Sequence, residues 1–262
     1  MKIKLTFLGG AQSVTGSRYL VETNNVRFLV DCGLYQERQH LDRNWTLLPF
    51  PPKNLDAILL THAHLDHCGL VPKLVREGFN NPVYCTPATA EIAEITLMDA
   101  AKLQVEDVEF KKKRHDREGR KGPYPEIPLY TPDDAKSSVP LVSPRAYNET
   151  FAISDGIEVT FYDAGHILGS AMIQMRIGKG QEGRAIVFPG DIGRWEKPIL
   201  NDPTLFEYAD YVLVESTYGD RVLPSSKESA NEFADVVNAT VGSKGNIVIP
   251  SFALERTQEV LY

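Results

Sequence analysis

Asp56-Ala57-Ile58-Leu59-Leu60-Thr61-His62-Ala63-His64-Leu65-Asp66-His67-Cys68-Gly69 places three imidazoles and a carboxylate within six residues at the end of an apolar run. The apolar half reads as a buried strand, and Leu70, Val71, Leu74 and Val75 read as a helix, so the polar residues occupy the turn between. Turns at strand ends are where layered α/β folds carry their sites. Neutral imidazole and carboxylate are ligand types that zinc takes at about 2.0–2.2 Å. His62 and His64 stand two apart, face the same way in extended geometry, and can share one ion. Asp66 and His67 enter the helical turn and point toward a second ion. A solvent-facing turn has no need of four such groups.

Two further ligands are expected from later strand ends. Asp163-Ala164-Gly165-His166-Ile167-Leu168-Gly169-Ser170 sets one histidine after a β-rich run, among glycines that let backbone approach closely. Val187-Phe188-Pro189-Gly190-Asp191-Ile192-Gly193 does the same with an aspartate, whose two oxygens could each take an ion and bridge the pair. Either residue alone would read as a turn or capping residue. His40 and His115 stand among charged residues without partner spacing and are expected at the surface. Cys32, Cys68 and Cys85 follow no repeated spacing, which excludes a disulfide framework and points to buried thiols in a reducing compartment.

Around these motifs the pattern is that of an α/β chain. Strands are expected over 3–8, 18–23, 26–31, 57–60, 158–163, 171–177, 184–188, 211–215 and 246–250, with Asn24-Asn25 as a tight hairpin turn. A long helix is expected from Pro87 to about Lys113, with Ile92, Ile95, Leu97, Met98, Ala101 and Val105 recurring at three and four. Its end, Lys111 to Lys121, carries seven basic residues in eleven; this reads either as a solvated helix end or as a strip for an RNA backbone. Gly178-Lys179-Gly180-Gln181-Glu182-Gly183 fits the dinucleotide fingerprint, but Ala185-Ile186-Val187-Phe188 continues as strand, so it is read as a hairpin loop.

The 262 residues, 42% hydrophobic and 24% charged, fall in the ordinary globular range. A net charge of −7 argues against a broadly basic nucleic-acid surface, although two divalent ions would reverse the sign locally. Met1-Lys2-Ile3-Lys4-Leu5 opens no apolar leader, and no apolar run approaches the roughly 18 residues of a membrane span. A cytoplasmic protein with no membrane partner is expected.

Asp31 at the end of an early strand, the H-x-H-x-D-H run at 62–67, His166 and Asp191 together resemble the metallo-β-lactamase superfamily. The segments Leu8–Ser17, Ala164–Ser170, Glu215–Gly219 and Pro250–Glu259 look like its β-CASP branch of RNA-processing nucleases. The resemblance implies an αββα sandwich of two sheets between helical layers, over 1–218, with an inserted α/β domain beginning at 219–262. It implies that His62, His64 and His166 hold one zinc, that Asp66, His67 and the bridging Asp191 hold the other, and that Asp31 steadies the histidines. Manganese or iron could stand in for zinc. Glu215 would match the acidic residue that pairs with a histidine of the inserted domain to protonate the leaving group. The family pattern continues with further histidines and closing elements, so a C-terminally truncated chain is expected, with Ser225-Ser226-Lys227-Glu228 as a capping box opening the inserted domain.

Two ions about 3.5–4 Å apart can hold a hydroxide between them and lower its pKa toward about 7. The expected reaction is attack of that hydroxide on an RNA phosphodiester, with Asp66, Asp191 and Glu215 as catalytic residues. The competing readings are hydrolysis of a thioester, lactone or lactam on the same ions, and an inactive fragment that binds metal or RNA. A flavodiiron-type redox role lacks a flavin domain. RNA is the expected partner, and a homodimer is left open.

Overall fold

The computed structural model describes residues 2–23, 26–222 and 224–262. Strands β1 (Ile3–Gly9), β2 (Arg18–Thr23), β3 (Val26–Val30), β4 (Ala57–Leu59), β5 (Val83–Cys85) and β6 (Val142–Pro144) form one sheet in that order. Strands β7 (Thr150–Ser154), β8 (Ile157–Asp163), β9 (Ala171–Ile177), β10 (Arg184–Phe188) and β11 (Tyr211–Val212) form the second. The first sheet is antiparallel through β3 and parallel from β3 to β6. The second is antiparallel except for the β10–β11 pair.

The central strand β4 shows why its sequence is apolar without alternation. Leu59 and Ala57 point between the sheets, where they meet Phe28, Val30, Phe161, Ile173, Met175 and Phe188. Ile58 and Leu60 point the other way, into a core shared with helices α2 (Val71–Arg76), α3 (Pro87–Glu118) and α4 (Pro132–Ser138). A strand covered on both faces needs apolar side chains at every position. Both sheets and this helical layer match the sandwich expected from the sequence.

The predicted strands at 18–23, 171–177 and 184–188 are found with those bounds, and 178–183 joins β9 to β10 as the expected hairpin. The Asn24-Asn25 turn lies outside the described residues, although Thr23 pairs with Val26 across it. Four expectations are corrected. Residues 246–250 form no strand: Val248 is 88% exposed, and β-branched residues extend into a ladder only where a neighbouring strand takes their backbone groups. Residues 211–215 pair with β10 at Tyr211 and Val212, with one further bond from the Leu213 N–H to the Val187 carbonyl oxygen, and no further, because β10 ends at Phe188. His115 is buried, not at the surface, because the chain turns back after Gly119 and brings Glu126 to 2.6 Å from its Nδ1. Ile95, counted in the apolar stripe of α3, is exposed; Ala93, Leu97, Ala100 and Ala101 make the buried face.

Among the described residues, helices α5 (Ser226–Gly242) and α6 (Arg256–Leu261) contribute none to either core. Helix α5 does open on the expected capping box, with Ser225 and Glu228 bonding reciprocally. Among the described residues no helix is long and apolar enough to cross a membrane.

Phe161 is fully buried between the sheets. Phe161→Ala is expected to destabilise the fold by about 3–5 kcal/mol in urea unfolding; a loss under about 1 kcal/mol would show that the two sheets are not clamped by this core.

Candidate metal centre

Helix α1 (Leu65–Cys68) begins one turn after β4 ends, so the decisive stretch is a strand, an open turn and a short helix. Four strand ends meet here: β3 delivers Asp31, β4 delivers Thr61 and His62, β8 leads to His166 and β10 to Asp191. The two sheets are joined at this rim by the Ala171 N–H donating to the Thr61 carbonyl at 2.7 Å. The turn is strapped from the other side by Ser17 N–H to Asp66 O, Cys32 N–H to His67 O and Leu34 N–H to Leu65 O, all at 2.7–2.9 Å. Backbone runs so close that a Cβ at Gly33 would lie 1.6 Å from the Asp66 carbonyl oxygen. Gly190, just before Asp191, adopts φ +61° with Thr61 at its side, a conformation open to glycine at little cost.

Beneath the histidines lies the fully buried Asp31. Its carboxylate accepts from Thr61 N–H at 2.8 Å, from Thr61 and Ser17 hydroxyls at 3.0 Å, and from His67 Nδ1 at 2.7 Å. Its backbone sits at φ +59°, outside the usual range for a side-chain-bearing residue, and these bonds hold it there. With Nδ1–H committed to Asp31, it is the Nε2 of His67 that faces the cleft, where it would give up its proton to take an ion. The Thr61 hydroxyl donates to Asp31 and stands 3.1 Å from His62 Nδ1, from which it can accept; that orients His62 Nε2 in the same way.

The acceptor atoms then converge. His62 Nε2 and His64 Nδ1 are 3.0 Å apart, His64 Nδ1 and His166 Nε2 3.2 Å, His166 Nε2 and Asp191 Oδ2 3.5 Å, and His62 Nε2 and Asp191 Oδ2 3.8 Å. A tetrahedral zinc with bonds near 2.0–2.1 Å sets its ligand atoms about 3.3 Å apart, so this donor set fits one. The other oxygen of Asp191 lies 3.2 Å from His67 Nε2, which is 3.9 Å from Asp66 Oδ2. Asp191 thus has one oxygen toward His62 and His166 and the other toward His67. All six residues named from the sequence as ligands are thus at one rim, with Asp31 behind them. Glu215 is nearby but outside the cluster: its Oε1 accepts from the Ile192 N–H at 3.0 Å, on the wall of the cleft lined by Asp31, His67 and Asp191.

Electrostatics matches the geometry. Burial pushes His62 well below its usual range, lowers His64, and takes His166 down to about 4, so these rings present lone pairs at neutral pH. Burial would raise Asp191, but the hydrogen bond and charge of His67, with His166 and His64, outweigh it and hold the carboxyl at about 2. Asp66 is raised, chiefly by burial. His67 is the exception among the rings, since Asp31 and Asp191 overcome its burial and raise it well above the usual value. All three thiols are buried and pushed up by burial, Cys32 and Cys85 to about 12, as expected of packing residues.

Thr61, Ser17 and Lys197 were not singled out by the motifs. Thr61 and Ser17 stand inside quoted segments, but only the fold shows that both serve Asp31. Lys197 donates to the His166 carbonyl oxygen at 3.2 Å and pairs with Glu255 and Glu259, tying the 250–259 segment to the His166 loop. No spacing in the sequence carries that link.

Two facing sheets with a histidine and aspartate cluster at one rim are the layout of a metal-binding α/β protein. The family model described as the metallo-beta-lactamase superfamily matches residues 14–170, more than half of the chain. The chain belongs to the metallo-β-lactamase superfamily, and membership implies a divalent-metal site. It is 39% identical over 260 residues to ribonuclease TTHA0252 of Thermus thermophilus, covering 99% of this chain and 54% of that protein. It is 37% identical over 268 residues to the transcription termination factor FttA of Methanocaldococcus jannaschii, covering 99% of this chain and 38% of that one, and similarly to FttA of Methanosarcina mazei. The chain spans about half or less of the length of these curated relatives.

Asp31→Ala would strand the Thr61, Ser17 and His67 donors in a dry pocket. The expected cost is about 3–5 kcal/mol in urea unfolding, with a parallel fall in bound metal by mass spectrometry. Stability within about 1 kcal/mol of the parent would show that the carboxylate does not hold this rim together.

Proposed function

We propose that this chain carries the metal centre of an RNA-processing nuclease of the β-CASP branch, which hydrolyses RNA phosphodiesters with two divalent ions, zinc preferred. The observation that carries the reading is the convergence of His62, His64, His166 and Asp191 on one point, and the second ion is supported by the other Asp191 oxygen lying 3.2 Å from His67 Nε2, itself 3.9 Å from Asp66. On this reading residues 1–218 belong to the metallo-β-lactamase domain and 219–262 begin the inserted domain. The relatives named as a ribonuclease and as termination factors support an RNA substrate over the small thioesters, lactones or lactams that the fold can also serve.

His62, His64 and His166 would hold one ion, Asp66 and His67 the other, with Asp191 shared between them. Ions bound there supply positive charge for the phosphate and acidify water. Asp31 holds the Nδ1 proton of His67 and so turns Nε2 toward the place where an ion would replace its second proton. Asp66, half-desolvated and raised, can orient the attacking water and take its proton on a carboxylate oxygen. Glu215, held against the Ile192 backbone, is placed on the cleft wall to assist proton delivery to the leaving oxygen, in company with a group outside this chain. A cytoplasmic location accords with an RNA substrate.

Asp191→Ala removes the shared ligand. Bound metal measured by mass spectrometry is expected to fall from two ions to one or none, and cleavage of a single-stranded RNA by more than about 100-fold. Retained turnover would take Asp191 out of the mechanism. In a substrate panel on the parent protein, hydrolysis of a thioester or a nitrocefin-like lactam with RNA left intact would overturn the RNA reading.

A further inference from the structure

Helix α3 is longer than its core requires. Its last buried apolar residue is Ala101, yet it continues to Glu118. Beyond 101 the only buried side chain is His115, which packs on Gly122 and bonds Glu126. In helical projection, at about 100° per residue, Phe110, Lys113 and Arg117 lie on the face opposite His115. All three are exposed, Phe110 by 64%.

The charge of this helix end is opposite to that of the molecule. Residues 111–121 hold seven basic and two acidic residues, while the rest of the chain holds twenty-one basic and thirty-three acidic. Attraction to the helix dipole accounts for cations in the last turn only, worth about 0.3–1 kcal/mol each. It does not account for Lys111, Lys112 and Lys113, more than a turn earlier. Lys111 pairs with Asp107 and Arg120 with Glu118. Among the described residues Lys113 and Arg117 pair with no carboxylate, and as like charges at i and i+4 they repel each other. A stripe that a fold tolerates at a cost, with an aromatic ring beside two unpaired cations, is complementary to a flexible polyanion that carries stackable rings.

Helix α3 runs past the metal centre: the Thr89 hydroxyl donates to the Gly169 carbonyl oxygen at 2.7 Å, three residues from His166, and the Thr96 hydroxyl stands 3.4 Å from the Ala63 carbonyl oxygen, between His62 and His64. Lys113 is 17 residues further along the same helix, about 26 Å away. A stacked strand at about 3.4 Å per nucleotide covers that in roughly eight nucleotides.

We infer that the Phe110–Lys113–Arg117 face is a distal binding strip for single-stranded RNA, engaging the strand about eight nucleotides from the metal centre. The inference rests on the proposed RNA-cleaving function and adds a length requirement to it. The strip takes hold of long substrates; short ones reach the metal centre without it.

The test uses the whole protein and the triple variant Phe110→Ala/Lys113→Ala/Arg117→Ala, with circular dichroism to check that the exposed substitutions leave the fold unchanged. Binding is read by fluorescence anisotropy on a 30-nucleotide and a 5-nucleotide oligouridylate, with a chelator present to stop turnover, and cleavage is read separately. For the 30-mer, affinity should fall about 10-fold or more, with KM rising and kcat unchanged, and the slope of log K against log salt should become shallower by about 1.4, two phosphates at 0.7 each. The 5-mer should bind and react as before. Equal weakening for both lengths, or no weakening for either, overturns the strip. Unchanged RNA affinity with lost binding of poly-glutamate would assign the face to an acidic protein and also overturn it. A parent protein that binds the 30-mer through these residues but cleaves no RNA would sink the nuclease reading while upholding the strip.

Discussion

One buried carboxylate organises this molecule. Asp31 is carried by the strand beside β4 into full burial, where its carboxylate must find its hydrogen-bond partners within the protein. Its four donors come from the β1–β2 connection, from the end of β4 and from α1. Meeting the hydrogen-bond demand of that one side chain therefore fixes three segments relative to one another, and with them the direction in which His62 and His67 present their free nitrogens. The unusual backbone angle of Asp31 is the local cost of that arrangement.

The rim is also where repulsion is stored. Five ring or carboxylate acceptors lie within 3.0–3.9 Å of a neighbour, and little except His67 holds a proton that could mediate between them. The two packed cores hold the strand ends in place against that repulsion. Cations inserted among the acceptors would turn it into attraction, which couples metal binding to stability. Such a site needs rigid walls: at Gly33 backbone packs directly on the Asp66 backbone with no side chain in between, and Gly190 packs on the Thr61 side chain.

The segment after residue 215 stands apart from this economy. It is rich in exposed apolar groups such as Val222, Val248, Phe252 and Leu261, and its contact with the rim runs through Lys197 and the two glutamates of 255 and 259. Helix α5 forms on local signals alone, its capping box and its length, without a core to lean on. The strand pattern at 246–250 did not form where nothing pairs with it, which is the usual difference between helix and sheet: a helix closes its own hydrogen bonds and a strand borrows its neighbour's.

By itself the sequence determined which histidines and aspartates gather at one rim of the fold. The spacing of His62, His64, Asp66 and His67 at the end of an unbroken apolar run, and the glycine-flanked His166 and Asp191, could be read because ligand spacing and strand patterning are local properties. Strands whose partners are neighbours in the chain, such as β2, β9 and β10, were legible for the same reason. What only the tertiary structure decided is non-local. That Thr61 and Ser17 serve Asp31, that Lys197 reaches the 250–259 segment, that His115 is drawn inward by Glu126, and that residues 246–250 find no ladder all depend on groups far away in sequence. Hydrogen-bond demand in a dry interior is met by whatever the fold brings near, and no reading of one segment at a time can name its partner.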